Sequence, residues 1–430
     1  MSESNSFIEE KLMPIASKLS ANKYLTAIRD GITLAMPLII IGSIFMVIAS
    51  FPVPGWEAWL GDIGVADYLW KGVDSSFGLI GLVASFGIAQ SLANQYKVDG
   101  VAAGIISMSS FVMVTPFISG EAGAGLTVRY LGASGLFVAI VLGLFSAFIY
   151  QWFINHNIQI KMPESVPPAV ARSFSAIIPG AVIITFWLVI YSILDMVSWP
   201  NLHELAQVVL GGPLGLLGNN IFGTVIVAGL NSLLWFIGIH GGNVVNSIMQ
   251  PIWISNLAEN NAAYQAGAEM KNIITIAFMD NFVYIGGGGA TIGLVLVLGY
   301  IARKKNTSKQ TKIMAPITVV PGLFNINEPT MFGVPVVLNF ALLVPFIVAP
   351  IVNAIVAYIA MSIGLVPLTR VVASWTMPPI ISGFLTTGSI NGSILQIVLV
   401  VLDILLYLPF FLALEKRFKA QEENESLYKK

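Results

Sequence analysis

Six consecutive residues, Asn325-Ile326-Asn327-Glu328-Pro329-Thr330, place polar chemistry inside an otherwise apolar region of the chain. Glu328 supplies a carboxylate that can accept a hydrogen bond or a proton, and the two asparagines supply amides that donate and accept. One interpretation places Glu328 at membrane depth, where a charged side chain costs about 2.5–3.5 kcal/mol and needs a polar partner or ligand. The alternative places it in an aqueous loop after the basic run 303–312.

His240 is a second candidate for proton chemistry. It ends an apolar run within Gly238-Ile239-His240-Gly241-Gly242-Asn243, where the glycines let backbone or ligand approach closely. A neutral imidazole there can accept a proton or a hydrogen bond from a substrate hydroxyl. The alternative is a structural histidine at a helix end, bonded to a backbone carbonyl. The other two histidines, His156 and His203, are predicted to be solvated and structural.

A third polar and aromatic cluster is Ser374-Trp375-Thr376-Met377-Pro378-Pro379. An indole ring with hydroxyl neighbours suits the face of a sugar, but a packed tryptophan with a polar handle explains the same residues equally well. The glycine run 286–289 looks like a phosphate-binding loop. No Lys-Ser or Lys-Thr pair follows it and no strand precedes it, so close helix packing or a kink is predicted instead.

Two classes of function can be considered for these residues. An ion-coupled secondary transporter would carry protons on Glu328 or Asp280. An intramembrane enzyme would use His240 and Glu328, but no paired catalytic histidine, metal cluster or Ser-Lys spacing accompanies them. The sequence has no cysteine, which excludes disulfides, thiolate metal sites and cysteine nucleophiles. No metal site and no cofactor are predicted.

Composition defines the elements that must position these side chains. Of the 430 residues, 56% are hydrophobic and 10% are charged, whereas soluble domains carry about 25% charged residues. The chain is therefore predicted to be an all-α polytopic membrane protein. The net charge is −1, and the distribution of the charges leaves no basic face for nucleic acid once the loops are counted. Residues 1–30, which include Lys11, lack the features of a cleavable signal and are predicted to form an amphipathic segment.

Segments of about 20 apolar residues, the length that a membrane-spanning helix needs, recur along the chain. The segment 244–257 is apolar but short and contains Pro251, so its status stays open. The predicted spans are 31–50, 77–95, 101–119, 131–154, 173–198, 219–239, 273–301, 334–365 and 393–414.

The distribution of Lys and Arg predicts the orientation. Four such residues, among them Arg29, lie before the first span, five lie in 303–312 and five in 416–430, whereas 199–220 has none. Both termini are therefore predicted to be cytoplasmic, which requires an even number of crossings. About ten crossings satisfy this, with 244–257 crossing and with re-entrant hairpins at 313–333 and 370–391. Broken helices at membrane depth are where transporters build binding sites.

Three motifs together resemble a transporter family over essentially the whole chain. They are Met162-Pro163-Glu164-Ser165-Val166-Pro167-Pro168-Ala169-Val170-Ala171-Arg172-Ser173-Phe174, Gly238-Ile239-His240-Gly241 and Asn327-Glu328-Pro329. The chain is similar to enzyme IIC, the membrane component of the bacterial phosphoenolpyruvate-dependent sugar phosphotransferase system, in its lactose/cellobiose/diacetylchitobiose subgroup.

The resemblance implies a homodimer in the bacterial cell membrane. Residues 1–200 would form a scaffold of five spans that holds the dimer interface, and residues 201–430 would bind substrate with five spans and two re-entrant hairpins. A β-linked disaccharide, of the diacetylchitobiose or cellobiose type, would be carried inward by an elevator-like movement and phosphorylated at its 6-hydroxyl.

The resemblance also implies residue roles and a partner. His240 and Glu328 match the family's residues at the reacting sugar ring, where either could take the hydroxyl proton, and Asn243, Asn327, Trp375 and Thr376 are predicted to bind the sugar. In this system the phosphoryl donor is a phosphocysteine on enzyme IIB. Since this chain has no cysteine, the donor is expected to be a separate soluble protein that docks on the cytoplasmic face.

Overall fold

The computed structural model describes residues 14, 18 and 21–428, except 121–122, 164 and 335, and it leaves out the side chains of 425–428. Most of the predicted amphipathic segment, including Lys11, lies outside these residues. The described chain is mainly helical, as predicted. It also contains an antiparallel ribbon of two strands, β1 (Phe117–Gly120) and β2 (Gly123–Leu126), which the prediction of an all-α fold missed.

The first half consists of long helices joined by short connections. Short 3₁₀ turns at Phe77–Leu79 and Ala133–Gly135 lead into two of them. The described helices are α1 (Lys23–Leu34), α2 (Met36–Ala49), α3 (Trp56–Asp62), α4 (Ala66–Asp74), α5 (Ile80–Gln95), α6 (Gly100–Val114), α7 (Val128–Leu131), α8 (Leu136–Asn155), α9 (Pro168–Ser175) and α10 (Ile177–Met196).

The second half has more frequent breaks. Two short π-helical stretches, Gln207–Gly211 and Met279–Val283, interrupt its helices. The described helices are α11 (Leu202–Ala206), α12 (Gly212–Gly218), α13 (Ile221–Phe236), α14 (Gly241–Gln265), α15 (Ile276–Phe278), α16 (Ile292–Ala302), α17 (Lys309–Leu323), α18 (Glu328–Gly333), α19 (Phe340–Ser362), α20 (Ile381–Thr387) and α21 (Ile390–Tyr428).

Six described helical segments are long and apolar enough to cross a membrane. The pair Leu202–Gly218 and Ile221–Phe236, bent by 79°, makes a seventh if it counts as one span. Helices α6 and α16 are apolar but shorter. The chain is thus a multi-pass membrane protein, while the total of about ten crossings stays a prediction. The six segments are Lys23–Ala49, Ala66–Gln95, Ala133–Asn155, Pro168–Met196, Phe340–Ser362 and Ile390–Asn424.

Two predicted spans are interrupted for identifiable reasons. The span 101–119 ends as a helix at Val114, because Pro116 disfavours helical backbone in the residue before it. The span 273–301 is broken between the π-helical stretch and α16, where Gly286, Gly287 and Gly289 have positive φ angles. The open segment 244–257 lies inside α14, which runs 25 residues and contains Pro251.

The two predicted hairpins correspond to irregular stretches. In 313–333 the helices α17 and α18 are joined by a turn through Asn325, which has a φ of 60°. In 370–391 a mostly non-helical segment precedes α20. Their re-entry into a membrane stays a prediction, since the structure shows only their conformation.

His203 is buried rather than solvated, so the prediction for this residue was wrong. Its side chain is 2% exposed; Nε2 lies 2.9 Å from Thr115 Oγ1, and the ring stacks on Tyr130 with centroids 4.6 Å apart. These partners come from other segments, so local sequence could not reveal them. Helix α11 therefore packs on the first half. His156 is exposed, and its Nδ1 lies 2.8 Å from the Trp152 carbonyl oxygen.

Candidate functional site

A cavity of about 360 Å³ collects most of the predicted site residues. Its volume falls in the range of about 300–1,000 Å³ that is typical of small-molecule sites. The described residues form other cavities of similar size. This one is distinguished because an imidazole, two carboxylates, several amides and two indole rings converge on it. The predicted residues that line it are His240, Asn243, Asn327, Glu328 and Trp375.

Thr376 is the predicted residue that the cavity wall does not include, among the described residues. Its Oγ1 lies 2.9 Å from Ser374 Oγ, so the two hydroxyls pair with each other. The neighbouring Trp375 faces the cavity with 41% of its surface exposed. A large exposed indole beside polar groups provides a flat apolar surface for the ring of a ligand.

His240 is the N-cap residue of α14. Its Nδ1 accepts a hydrogen bond from the backbone N–H of Asn243 at 3.1 Å. The partner is therefore a backbone N–H and not the carbonyl considered from sequence. Because Nδ1 is the acceptor, the hydrogen of a neutral imidazole lies on Nε2, which leaves Nε2–H as a donor. The ring also lies against Trp235, with centroids 4.2 Å apart.

Glu328 is the first residue of α18, and its side chain is exposed to the cavity. The preceding Asn327 is buried, and its Nδ2 donates to the Gly288 carbonyl at 3.0 Å. This bond fixes the backbone immediately before the carboxylate. Glu328 can therefore present its oxygens to a ligand from a defined position.

Asn325 connects three segments around the cavity. Its Oδ1 accepts from the Gly286 N–H at 2.7 Å, and its Nδ2 donates to the carbonyls of Trp375 and Met377 at 2.6 and 3.1 Å. The backbone of Asn325 is left-handed, a conformation that asparagine tolerates better than most residues. One amide thus positions the glycine run, the turn before Glu328 and the Trp375 loop.

The glycine run forms a kink, in agreement with the prediction, but it also lines the cavity through Gly287 and Gly288. A Cβ on Gly288 would lie 2.5 Å from Trp235 Cδ1. The sequence did not indicate a role for this run in the site, because its function depends on contacts with distant segments.

Helix α14 contributes a polar stripe that the sequence interpretation largely missed. Asn243, Asn246 and Gln250 line the cavity and are spaced by three and four residues, so they share one helix face. This spacing was a usable signal in an apolar segment. From α13, Asn231 also lines the cavity, and its buried Oδ1 accepts no hydrogen bond within the described part of the chain.

The first half contributes Arg29, which sequence reasoning counted only as an orientation signal. This side chain lines the cavity from α1 and forms an ion pair with Asp30 at 2.6 Å. Asp280 adds a second carboxylate to the wall. No group of His, Asp and Glu suited to a metal ion occurs among the described residues.

This set of groups suits a ligand with many hydroxyls and an apolar ring face. Carboxylate and amide oxygens accept hydrogen bonds from hydroxyls, and amide and imidazole N–H groups donate to them. Glu328 and Asp280 are the carboxylates of the wall that can accept from such a hydroxyl, while Trp375 supplies an aromatic surface. The site can therefore bind a carbohydrate and accept a proton from one of its hydroxyls.

Comparisons with known proteins agree on one family. The family model described as "Phosphotransferase system, EIIC" matches residues 29–350. The lichenan permease IIC component of Bacillus subtilis is 42% identical over 99% of this chain and 96% of its own length. The cellobiose-specific EIIC component of Geobacillus stearothermophilus is 42% identical over 97% and 96%.

A solved structure is similar over nearly the whole fold. The IIC component ChbC of the N,N'-diacetylchitobiose-specific phosphotransferase system superimposes with a TM-score of 0.90 at 40% identity. The match covers 97% of this chain and 99% of that one. The resemblance found in the three sequence motifs is thereby confirmed.

Proposed function

Because the chain belongs to the phosphotransferase system EIIC family, we propose that it is a permease for a β-linked disaccharide, which it presents for phosphorylation at the 6-hydroxyl. The family's components work with a sugar and a IIB partner. Relatives named for cellobiose and lichenan, and the chitobiose transporter, support a cellobiose or diacetylchitobiose type of substrate. The observation that carries the proposal is the convergence of Glu328, His240 and Trp375 on one cavity.

The two ionisable residues take different roles in this proposal. His240 uses Nδ1 to accept the Asn243 N–H, so its Nε2–H donates to a sugar oxygen. Glu328 accepts the hydrogen of the reacting hydroxyl and then its proton. Positioning of the hydroxyl against the incoming phosphorus atom supplies most of the remaining catalysis, as in other phosphoryl transfers.

The donor is a phosphocysteine on the IIB partner, which docks where the cavity opens to the cytoplasm. This chain has no cysteine to carry the phosphoryl group. The basic run 303–312 and the positive-inside rule support cytoplasmic termini and a cytoplasmic docking face. The sequence-based expectations of a homodimer and of an elevator-like movement belong to the same proposal.

Scaffold and carrier are assigned to the first and second halves, close to the division predicted at residue 200. Two observations support this proposal: helix breaks and buried amides concentrate in the second half, and His203 on α11 contacts the first half. Structures with the cavity open to opposite sides should superimpose well over the first half and poorly over the second. Equal superposition over both halves would contradict the assignment.

Sugar binding to Glu328→Gln provides the central test. Titration of the purified chain with cellobiose, diacetylchitobiose and lactose should show tight binding of one of the first two. Replacing the carboxylate with an amide removes a charged acceptor, whose hydrogen bonds contribute about 1.5–3 kcal/mol each, so affinity should fall at least tenfold. Glu269→Gln, at an exposed site outside the cavity, should bind as the wild type does. Wild-type affinity in Glu328→Gln would refute the site.

An ion-coupled sugar transporter is the second candidate, and Asp280 in the cavity wall favours it. Sugar uptake into proteoliposomes distinguishes this candidate from the phosphotransferase proposal. Coupling to protons requires that collapse of the proton gradient abolish accumulation. The phosphotransferase proposal requires instead that accumulation depend on the phosphoryl relay and survive that collapse.

A further inference from the structure

Arg29 is the one Lys or Arg side chain in the cavity wall, among the described residues. It comes from α1 in the first half, whereas His240 and Glu328 come from the second half. All three side chains line the same cavity. A neutral sugar can accept hydrogen bonds from a guanidinium, but it does not need the positive charge that Arg29 carries.

The guanidinium is held by a short network. Asp30 Oδ1 accepts from Arg29 Nε and Nη2 at 2.8 and 2.6 Å, and Asp30 Oδ2 accepts from Ser91 Oγ at 3.0 Å. These bonds use two of the five guanidinium N–H groups, and the other three have no protein partner among the described residues, so they can bind a ligand. Ser91 belongs to α5, so two scaffold helices determine the orientation of Arg29.

A transferring phosphoryl group does need a cation. Its oxygens carry negative charge that must be stabilised by Arg, Lys or a metal ion, and the planar fork of arginine matches the phosphate oxygens. No metal-binding cluster of His, Asp and Glu lies in the part of the chain that the structure covers. Among the described residues of the cavity wall, Arg29 is therefore the one that can supply a permanent positive charge.

We propose that Arg29 binds the phosphoryl group during its transfer to the sugar, with Asp30 as the positioning residue that orients the guanidinium. The proposal rests on the function proposed above. In the transfer the bond between the sugar 6-oxygen and phosphorus forms while the phosphorus–sulfur bond of the donor phosphocysteine breaks. The sulfur leaves as a thiolate with the electron pair, the hydroxyl proton passes to Glu328, and Arg29 remains protonated throughout.

The location of Arg29 in the first half couples phosphorylation to the transport movement. The sugar moves with His240 and Glu328, but the cation stays on the scaffold. Transfer is then possible only in the arrangement in which the second half lies beside α1. Phosphorylation is restricted by this geometry to one end of the transport movement.

Steady-state phosphorylation by the full chain tests the proposal. The assay uses the reconstituted protein, the phosphocysteine-bearing IIB partner regenerated by its relay, and the sugar identified by titration. Arg29→Gln should lower kcat at least 100-fold while the KM and the Kd for sugar change less than about threefold. Arg29→Lys should recover part of kcat, since it keeps the charge but not the fork. Asp30→Asn should lower kcat about tenfold.

Lys23→Gln is the matched control. It removes one positive charge from the same helix, but Lys23 lies over the Tyr96 ring at 4.5 Å and is absent from the cavity wall. Its kcat should stay within twofold of the wild type. A comparable loss in Lys23→Gln would show that general surface charge, and not Arg29, is responsible, and would overturn the proposal.

Two results with Arg29→Gln overturn the proposal: an unchanged kcat, or a parallel loss of sugar affinity, which would make Arg29 a sugar ligand. If this variant does not fold, Arg29→Met, which also removes the charge, decides by the same two readouts. A failure of the proposed function is recognised separately, because it appears as unchanged sugar binding in Glu328→Gln or as phosphorylation-independent accumulation.

Discussion

The two halves of the molecule are both built from apolar helices, but different contacts hold those helices together. In the first half continuous helices meet through small residues: a Cβ on Gly104 would lie 2.6 Å from Phe86 Cδ2, and the buried polar contact between α5 and α6 joins Ser85 and Ser107 at 2.8 Å. In the second half the helices break, and side-chain amides satisfy the exposed backbone groups.

Gln396 illustrates the second arrangement. Its Oε1 accepts from the N–H groups of Ile380 and Gly383 at 2.6 and 2.8 Å, and its Nε2 donates to the Asn281 carbonyl at 2.7 Å. Asn325 does the same around the cavity. Backbone groups without partners are costly in an apolar environment, so the helix breaks require polar side chains of this kind as partners. The comparison shows that side-chain amides which pair with the backbone at the helix breaks, such as Asn325, also shape the candidate site.

Among the substitutions that test this difference between the halves, Asn325→Ala should have the largest effect. It removes three hydrogen bonds and leaves buried backbone groups unpaired, at a cost of about 3 kcal/mol in total. Sugar affinity, measured by calorimetric titration, should fall about 100-fold. Asn155→Ala is the control in the first half, where the exposed amide bonds only to Gln151. Wild-type affinity in Asn325→Ala would mean that the breaks do not depend on this amide.

Gly31→Ala should affect stability rather than binding. Its Cβ would overlap Ile88 on α5, and overpacking of this kind costs about 1–3 kcal/mol. The thermal transition of the purified protein should move down while sugar affinity stays within twofold. Gly61→Ala, whose Cβ has open space, is the control. A loss of affinity that exceeds the loss of stability would break the separation between scaffold and site.

Tyr264→Phe should have the smallest effect, at a contact between the halves. The Tyr264 hydroxyl donates to Glu57 Oε1 at 2.8 Å, a bond with a net contribution of about 0.5–1.5 kcal/mol. Its loss should disfavour the present arrangement about threefold to tenfold. Because the chain has no cysteine, spin labels on Asp62→Cys and Glu269→Cys can report the change in the distance distribution. Tyr68→Phe, at an exposed site, should leave that distribution unaltered, and an equal response in both variants would contradict the expected role of Tyr264.

The sequence could predict what depends on composition and on contiguous residues. Apolar content indicated a multi-pass helical protein, and three short motifs indicated the family. His240 and Glu328 are far apart in the chain, yet the motif resemblance predicted that they lie together, and the structure places both at one cavity.

The remaining features depend on contacts between distant segments. Arg29 was explained by orientation alone, since nothing near it in sequence indicates a cavity. The burial of His203 requires Thr115 and Tyr130, and the pairing of Thr376 with Ser374 depends on a local turn that composition does not specify. The spacing of Asn243 and Gln250 could have predicted the polar stripe of α14. The stripe was missed because Pro251 left it open whether this segment forms a helix.

The position of Glu328 in an open cavity bears on product release. On the proposed function, the carboxylate binds a neutral hydroxyl before transfer. After transfer, on the proposed function, it faces a phosphate ester of like charge once its proton has left, and repulsion disfavours the phosphorylated sugar in the same place. The acidic side chain that binds the incoming disaccharide would thus promote release of the phosphorylated one once it has moved away from Arg29.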